Sequence, residues 1–205
     1  MDEIILIGTG GHSRACIDVI ELSGQFKIAG LVGDDVSKGK ENLGYSVIGK
    51  DDDLKRLRQS YSNVLIAVGQ IKSPKTRIHL FNYLNQLDYI LPVIVSPRAY
   101  VSKHAQIGDG TIVMHDAMVN ANAMIGENCI INTLALIEHD AVVESHCHIS
   151  TGAKINGGAF IGMESFVGSG TVIHEGVKIG EKCVIAAGSV VRKNLPAGTT
   201  FCCKT

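Results

Sequence analysis

The chain has 205 residues, enough for one or two domains, and its 19 Lys and Arg nearly balance its 20 Asp and Glu, which leaves a net charge of −1. Because the basic residues are scattered and no apolar run exceeds the length of a strand, we expect neither a nucleic-acid partner nor a membrane-spanning helix. Residues 1–4 lead directly into an apolar segment without a basic leader, so we expect no signal peptide and a cytoplasmic location.

The first 92 residues alternate between strand and helix patterns. We predict strands at residues 4–7, 27–32, 45–48 and 63–68, and helices at residues 14–22, from residue 51 and at residues 74–87. Strands that alternate with helices are typical of a parallel sheet covered by helices. Residues 1–92 are therefore predicted to form a small, Rossmann-like α/β domain.

A glycine-rich turn, Gly-Thr-Gly-Gly-His-Ser at residues 8–13, follows the first predicted strand. Because backbone N–H groups at a strand-to-helix turn are free to bind a phosphate, Gly10, Gly11 and His12 are candidate ligands of an anion. The dinucleotide fingerprint has a third glycine where this chain has Ser13, and the domain is small. The turn therefore favours a single nucleotide over NAD, and the alternative is a tight turn that binds no ligand.

Two acidic residues, Asp34 and Asp35, follow the second predicted strand, about 24 residues after the turn. Carboxylates at this position can accept hydrogen bonds from a ribose or a base. Together with the glycine-rich turn, they predict the nucleotide end of a substrate site.

A strict period of six residues covers the second half of the chain. From Val95 to Val191 every sixth residue is Val or Ile, and the residue four positions after each of the first sixteen is small, with Val177 as the exception. A period of six fits neither a strand nor a helix, but it fits a solenoid in which branched side chains fill the core and small ones fit crowded corners. Residues 93–205 are therefore predicted to form a hexapeptide parallel β-helix with three sides to each coil. The pattern ends after Val191, and the last nine residues are predicted to form a short irregular tail. Three cysteines occupy the small position and are predicted to pack in the core: Cys129, Cys147 and Cys183.

One hexad carries an acid–histidine–acid triplet, Glu138-His139-Asp140. His139 occupies the third position of its hexad, which is not part of the core pattern, so its side chain should point outward. A neutral histidine can take a proton from an attacking group near pH 7, and a neighbouring carboxylate can hold the ring in the required tautomer. The triplet therefore predicts a general base, and the alternative is a surface histidine. His146 and His148 follow within ten residues.

Metal binding is a further interpretation of these histidines. The gamma-class carbonic anhydrases are hexapeptide β-helices that bind zinc through three histidines across a trimer interface, and their last two histidines are five residues apart. Here the residue five positions after His139 is Glu144, and the next histidines follow at intervals of seven and two residues. This spacing disfavours a metal, so we expect none. The remaining solenoid histidines are predicted to lie on the surface: His104, His115 and His174.

Over nearly its full length the chain resembles the bacterial sugar acyltransferases that modify sialic acids and amino-dideoxy sugars. The resemblance rests on Gly10-Gly11-His12, on Asp34-Asp35 and on the Glu138-His139-Asp140 triplet, combined with the hexads. It implies a left-handed β-helix, a cytoplasmic homotrimer with active sites between adjacent β-helices, and acetyl-CoA as the acyl donor. The best-known branch N-acetylates nucleotide-linked 4-amino-4,6-dideoxy sugars, which is the function that we expect.

The resemblance also implies roles for single residues. His139 matches the general base, with Asp140 as the acid that orients it and Glu138 beside them. The nucleotide sugar would contact the turn residues and the acidic pair named above. Four residues match positions that contact the acetyl-CoA or line the active site: Asn132, His148, Gly157 and Gly158.

The chain departs from the family at its C-terminal end. The family usually has a Gly-x-Pro-Ala-Lys/Arg element after the last strand, where it touches the nucleotide of CoA, whereas here Pro196-Ala197 is followed by Gly198. Because of this departure, the sequence does not identify the residues that would bind the adenine end of CoA. Two other functions also stay open at the level of sequence: O-acetylation of a sialic acid or related sugar, and a non-catalytic trimeric scaffold that binds a nucleotide.

Overall fold

The computed structural model describes residues 1–33, 41–71 and 73–202. Its first part consists of β1 (Asp2–Ile7), α1 (Gly11–Ser23), β2 (Phe26–Val32), β3 (Glu41–Asn42), β4 (Tyr45–Gly49), α2 (Leu54–Leu57), β5 (Asn63–Ile66) and α3 (Lys75–Gln86). The five strands form one sheet in the order β3-β4-β2-β1-β5, in which only β3 runs antiparallel to its neighbour. The predicted parallel α/β architecture is confirmed. In the described ranges, no helix has the length and hydrophobicity that a bilayer crossing requires.

The second part is a series of two-residue strands, one in each hexad and a last one after the hexad pattern has ended. They are β6 (Ile94–Val95), β7 (Tyr100–Val101), β8 (Gln106–Ile107), β9 (Ile112–Val113), β10 (Met118–Val119), β11 (Met124–Ile125), β12 (Ile130–Ile131), β13 (Leu136–Ile137), β14 (Val142–Val143), β15 (His148–Ile149), β16 (Lys154–Ile155), β17 (Phe160–Ile161), β18 (Phe166–Val167), β19 (Val172–Ile173), β20 (Lys178–Ile179), β21 (Val184–Ile185), β22 (Val190–Val191) and β23 (Thr200–Phe201).

These strands stack into three parallel sheets, which are the faces of a left-handed β-helix. One face runs from β6 through β9 and β12 to β23 and is called the docked face here, because the α/β domain packs against it. The second face runs from β7 to β22, and the third face runs from β8 to β20. Met118 of β10 pairs with Leu136 of β13, so equivalent positions lie three hexads apart. Three hexads therefore make one coil, as predicted.

The corners of the coils repeat one backbone conformation. From Gly110 to Gly188, every sixth residue has a positive φ, and the residues include Asn122, Asp140 and Gly158 with φ of 60°, 60° and 64°. Glycine enters this left-handed region without strain, and Asn and Asp tolerate it better than other residues. Each such corner lies three residues after the Val or Ile of the core, so the corner position is fixed by the same period as the core.

The interior of the β-helix contains the two predicted series of side chains. Ile131, Ile137 and Ile149 are fully buried, as are Cys129 and Cys147 of the small series. The small series also supplies hydrogen-bond donors, and five of them donate to a carbonyl fifteen residues further along the chain. These bonds join Thr111 to Gly126, Cys129 to Glu144, Cys147 to Gly162, Ser165 to Gly180 and Thr171 to Ala186. The core prediction is confirmed, and the side-chain donors tie successive coils together.

The α/β domain shares a hydrophobic core with the docked face. Ile17 and Ile20 of α1 cluster with Ile94, Ile112 and Ile130, which point outward from the β-helix and are fully buried. Burial of such outward-facing apolar side chains is the main favourable contribution to the docking of the two parts. The α/β domain therefore has a fixed position on one side of the β-helix.

The predicted irregular tail is wrong in part. β23 pairs in parallel with β21, which joins Ile185 to Phe201, and Leu195 forms a bridge with Ile179. In both pairs the partners are two positions closer in sequence than partners on complete coils, so the last coil is shorter than the others by that amount. The hexad pattern is lost at this point although the coil pairing continues, which is why the sequence period missed the strand.

Candidate active site and nucleotide cavity

The acid–histidine–acid triplet lies on the edge between the second and third faces, opposite the docked face. This edge is called the far edge here. His139 follows β13 and precedes β14, and 66% of its side chain is exposed, so it points outward as predicted. Its position on a corner of stacked coils gives it one equivalent neighbour on either side: Ala121 in the coil before and Gly157 in the coil after.

A hydrogen bond between His139 and Asp140 sets the tautomer of the ring. Nδ1 of His139 lies 2.8 Å from Oδ2 of Asp140, and a carboxylate oxygen accepts, so Nδ1 carries the hydrogen and Nε2 keeps its lone pair. The hydrogen bond to Asp140, together with the charges of Asp140 and Glu138, raises the pKa of His139. Hydrogen bonds from Asn122 and then from His139 lower the pKa of Asp140, which stays ionised. The pair can therefore take a proton at Nε2.

The next coil places Gly157 directly against the ring of His139. A Cβ atom at Gly157 would lie only 2.8 Å from Nε2 and Cε1 of His139, which is closer than side chains pack. Gly158 donates its N–H to the carbonyl of His139 at 3.0 Å. The structure therefore brings two of the predicted cofactor-binding residues, Gly157 and Gly158, to the predicted base.

The coil before contributes two asparagines that the sequence reasoning missed. Asn120 donates to Oε2 of Glu138 at 2.8 Å, and Asn122 donates to Oδ1 of Asp140 at 2.7 Å. In both pairs the partners lie one coil apart, so the asparagines could have been found by counting back three hexads from each acid of the triplet.

Asn132 and His148 lie elsewhere, at the junction with the α/β domain. His148 is 7% exposed, and its Nδ1 donates to the carbonyl of Gln70 at 2.5 Å, while Asn132 donates to its Nε2 at 3.1 Å. Burial lowers the pKa of His148 to about 4, so the ring is neutral and both of its nitrogens have partners. Since β12 and β15 belong to the docked face, this pair is on a different side of the coil from His139. The structure does not bring the two groups together within one chain.

A cavity of about 660 Å³ lies at the carboxyl end of the parallel sheet. Gly10, Gly11 and His12 line it, together with Gly33 and Gly69 at the ends of neighbouring strands. Ligands of open α/β sheets bind in this crevice, at the carboxyl ends of the strands. Three residues of the predicted phosphate turn therefore face one cavity.

Gly8 explains why the turn at the mouth of the cavity is so tight. Its φ is 124°, and a Cβ atom there would lie 2.8 Å from the carbonyl oxygen of Ala67. Only glycine fits this approach of two strand ends. The acidic pair predicted to read the ribose or base, Asp34 and Asp35, lies outside the described residues.

A buried arginine lies behind the cavity wall. Arg77 of α3 is 1% exposed; its Nη1 donates to the carbonyls of Ile66 and Val68 at 2.8 Å, and its Nη2 donates to Oδ1 of Asn128 at 2.6 Å. Burial lowers its pKa to about 10, so it is still a cation at neutral pH. In the described part of the chain no carboxylate forms an ion pair with it. A helix pattern alone gave no signal that this arginine is buried.

Besides burial, the charge of Arg77 affects the pKa of His12, which lines the cavity. Burial, and then the charges of Arg77 and His148, lower its pKa to about 3, so its ring is neutral. The thiol of Cys16 lies 3.5 Å from Nε2 of His12, and burial raises the pKa of Cys16 to about 12. His12 can therefore offer a neutral ring to a ligand in the cavity.

Two further histidines also belong to the junction between the parts. The prediction of a surface residue is wrong for His115, whose side chain is 16% exposed and lies 2.7 Å from both Asp18 of α1 and Ser96. His146 accepts a hydrogen bond from Asn128 at 3.1 Å and packs edge-on against Phe81. The docking of the α/β domain, which the repeat pattern does not contain, covers both side chains.

Comparisons with known proteins agree with this arrangement. Residues 3–84 match the family model described as PglD N-terminal domain, and residues 104–137 and 158–193 match the model of the bacterial transferase hexapeptide. A comparison with curated protein sequences gives no significant match.

Solved structures match over nearly the whole chain. A histidine-to-asparagine variant of perosamine N-acetyltransferase from Caulobacter crescentus, in complex with CoA and GDP-perosamine, is 30% identical with a TM-score of 0.90 over 96% of this chain and 91% of that chain. The acetyltransferase domain of PglB from Neisseria gonorrhoeae, in complex with acetyl coenzyme A, is 31% identical with a TM-score of 0.89 over 96% of this chain and 93% of that chain. WeeI from Acinetobacter baumannii, at 22% identity and a TM-score of 0.86 over 97% and 95% of the two chains, shows the same fold.

Proposed function

Since the chain belongs to the family of hexapeptide-repeat bacterial sugar acetyltransferases, we propose that it acetylates the 4-amino group of a nucleotide-linked 4-amino-4,6-dideoxy sugar. The observation that carries the proposal is the far-edge site, where Asp140 holds His139 with Nε2 free beside Gly157. The relative from Caulobacter crescentus, which is described with CoA and GDP-perosamine, supports the same class of acceptor.

In the proposed reaction, acetyl-CoA supplies the acetyl group as a thioester. Nε2 of His139 accepts the proton from the amine as the amine nitrogen forms its bond to the acetyl carbon, and the carbon–sulfur bond breaks. The proton then passes from His139 to the departing thiolate, so the base is regenerated. The N–H of Gly157, which makes no hydrogen bond within the described residues, can stabilise the negative charge that develops on the acetyl oxygen.

The α/β cavity is the proposed site of the nucleotide. The N–H groups at the start of α1 can bind a diphosphate, and the buried cation of Arg77 makes this side of the cavity electropositive. Asp35, beyond the described residues, is proposed to read the ribose or base with Asp34. A free sialic acid would offer this cavity only a carboxylate, which favours the nucleotide-linked acceptor.

The Asn132–His148 pair is proposed to line the cofactor end of the site in the assembled protein. Because both ring nitrogens of His148 have partners, its role there is to hold the Asn132 amide, which keeps one N–H for a ligand. His139 and this pair lie on different sides of one β-helix, so a complete site requires a neighbouring chain.

A homotrimer meets this requirement. Apolar side chains are exposed on both faces beside the far edge, including Tyr100 and Met118 on the second face and Met124 on the third. Packing of β-helices through these faces would bury them. Light scattering at micromolar concentration should give the mass of three chains, and a monomer would contradict a site shared between chains.

A substitution at the phosphate turn tests the nucleotide end. A Cβ atom at Gly11 meets no protein atom within 4 Å, so Gly11→Val should fold normally but obstruct the phosphate. We expect the KM for the sugar nucleotide to rise about 10-fold or more, which corresponds to about 1.4 kcal/mol. The KM for acetyl-CoA and the melting temperature should stay near the wild-type values, and the same selectivity is expected of Asp35→Ala. Equal increases in both KM values would mean that the turn only supports the fold.

A substitution of the orienting acid changes the pH profile. The base works in its unprotonated form, so kcat/KM falls as the pH drops through the pKa of His139. Because Asp140 raises that pKa, Asp140→Asn should move the acid limb of the profile to lower pH, while the plateau falls by less than it does in His139→Ala. Rates measured from about pH 5 to about pH 9 show the limb. A limb that stays in place would mean that another group sets it.

The proposed function is tested with a panel of acceptors. Nucleotide-linked 4-amino sugars and free or CMP-linked sialic acids are each incubated with acetyl-CoA, and the release of free thiol is followed. We expect turnover with a 4-amino sugar, and inhibition at millimolar concentration or below by one of UDP, dTDP or GDP. If sialic acid is acetylated and no nucleotide binds, the acceptor is a hydroxyl group and the proposed amine acceptor is wrong. Nucleotide binding without any turnover would indicate a scaffold.

A further inference from the structure

We propose that Asn122 is a positioning residue for the reaction, and that it acts on the base through Asp140; this inference rests on the proposed function. Asn122 Nδ2 lies 2.7 Å from Oδ1 of Asp140, and His139 Nδ1 lies 2.8 Å from Oδ2 of the same carboxylate. Each oxygen of the carboxylate thus has its own donor, one from the coil before and one from the base. The arrangement is a relay of two hydrogen bonds from Asn122 to the ring.

The relay follows from the geometry of stacked coils. Asn122 and Asp140 both occupy the corner position with φ of 60°, and they lie one coil apart, so their side chains leave equivalent corners in the same direction. Successive coils are separated by about 4.8 Å, which is short enough for an amide to reach the carboxylate. The Asn120–Glu138 pair, two residues earlier, repeats the same spacing with a bond of 2.8 Å.

Asp140 needs such a partner because little else holds it. Its side chain is 57% exposed, and an exposed carboxylate can rotate between several rotamers. With Oδ1 held by Asn122, the carboxylate presents Oδ2 to Nδ1 of His139. The bond from Asn122 is also the largest of the effects that keep the pKa of Asp140 low. Asn122 therefore fixes both the direction and the charge of the group that orients the base.

Among the described residues, no other titratable group on the adjoining coils faces the base. On its own corner, His139 has the carboxylates of Glu138 and Asp140. The coil before presents Asn120, Ala121 and Asn122, and the coil after presents Gly157 and Gly158. The charges that act on His139 are therefore those of Asp140 and Glu138, and Asn122 is hydrogen-bonded to the first of them.

The test replaces the amide without straining the corner. Asn122→Gly keeps a residue that accepts a positive φ, so the melting temperature should stay within a few degrees of the wild type. We expect kcat to fall about 10-fold, the lower end of the loss seen when a residue that orients a metal-bound histidine is removed, with both KM values unchanged. In the protein without substrates, ¹⁵N spectra of His139 should show a smaller fraction of the tautomer that carries hydrogen on Nδ1.

The double variant Asn122→Gly/Asp140→Asn decides the route. If Asn122 acts through Asp140, adding Asn122→Gly to the Asp140→Asn variant should cause no further loss of kcat. Additive losses, a shifted KM, or an unchanged tautomer fraction would each overturn the proposal. The ¹⁵N measurement needs no acceptor, so it stands apart from the outcome of the acceptor panel: the relay can fail while acetyl transfer is found, and the reverse.

Discussion

His139→Ala should lower the turnover number by about 10²–10⁴, the usual contribution of a general base. The side chain is mostly exposed on the far edge and contributes nothing to the core of the β-helix, so the melting temperature should barely change. Steady-state rates with saturating acetyl-CoA and acceptor measure the loss. Both KM values should change little, because the ring acts on the proton rather than on binding.

The matched control is His104→Ala. His104 is also exposed on the far edge, two coils before Asp140, and no role is assigned to it. This variant shows whether removing any exposed histidine from the far edge lowers the rate. We expect the rate of His104→Ala to stay at the wild-type level. Turnover within a few-fold of wild type in His139→Ala would mean that a different residue takes the proton, or that the amine arrives already deprotonated.

Gly157→Ala should reduce kcat by about 100-fold, because displacement of a catalytic group by about 1 Å can cost that much. The added methyl group would lie 2.8 Å from Nε2 of His139, so the ring must turn away from its position beside the Gly157 N–H. The backbone at Gly157 does not have a positive φ, so alanine fits it without strain. The melting temperature should therefore stay close to that of the wild type, because only an exposed ring has to move.

Non-additivity identifies the cause of this loss. In the His139→Ala background the ring is absent, and the methyl group at position 157 should cause no further decrease in kcat. The crystal structure of the Gly157→Ala variant should show a new rotamer of His139. A loss of the same size in both backgrounds would place the effect at the acetyl oxygen or at the cofactor, independent of the base.

The hexad period predicted the β-helix and the outward direction of His139, because one residue in six must be branched and buried in every coil. It did not predict Asn120 and Asn122, because contacts between coils repeat only once in three hexads and join segments that are distant in sequence. The same longer period does not distinguish the docked face. Every eighteenth residue from Ile94 faces outward and is apolar at Ile112 and Ile130, but the equivalent positions on the second face are apolar as well at Tyr100, Met118 and Leu136.

The docking of the α/β domain set the limits of what the sequence could predict. Arg77 lies on a helix whose pattern is typical of a half-exposed surface. His115 follows a strand and His148 points outward from β15, so both side chains would be exposed in an isolated β-helix. Their burial depends on contacts between the two parts of the chain, such as the bond from His148 to the carbonyl of Gln70. Local periodicity contains no information on such contacts.

Because equivalent positions of the β-helix stack on one another, its structural repeat is one whole coil, or three hexads, and this repeat acts as a frame for the positions of all later residues. A deletion of a single hexad would preserve the alternation of core and corner but would move every later residue back to the preceding face. A deletion between Asp140 and Gly157 would therefore remove Gly157 from the far edge. A deletion of one complete coil beyond Gly158 would keep all three coils of the site in register and would only shorten the β-helix by about 4.8 Å. Changes in length of this chain are therefore expected to be tolerated in whole coils, and the shortened last coil, where partners lie two positions closer in sequence, shows that the frame is relaxed at the C-terminal end.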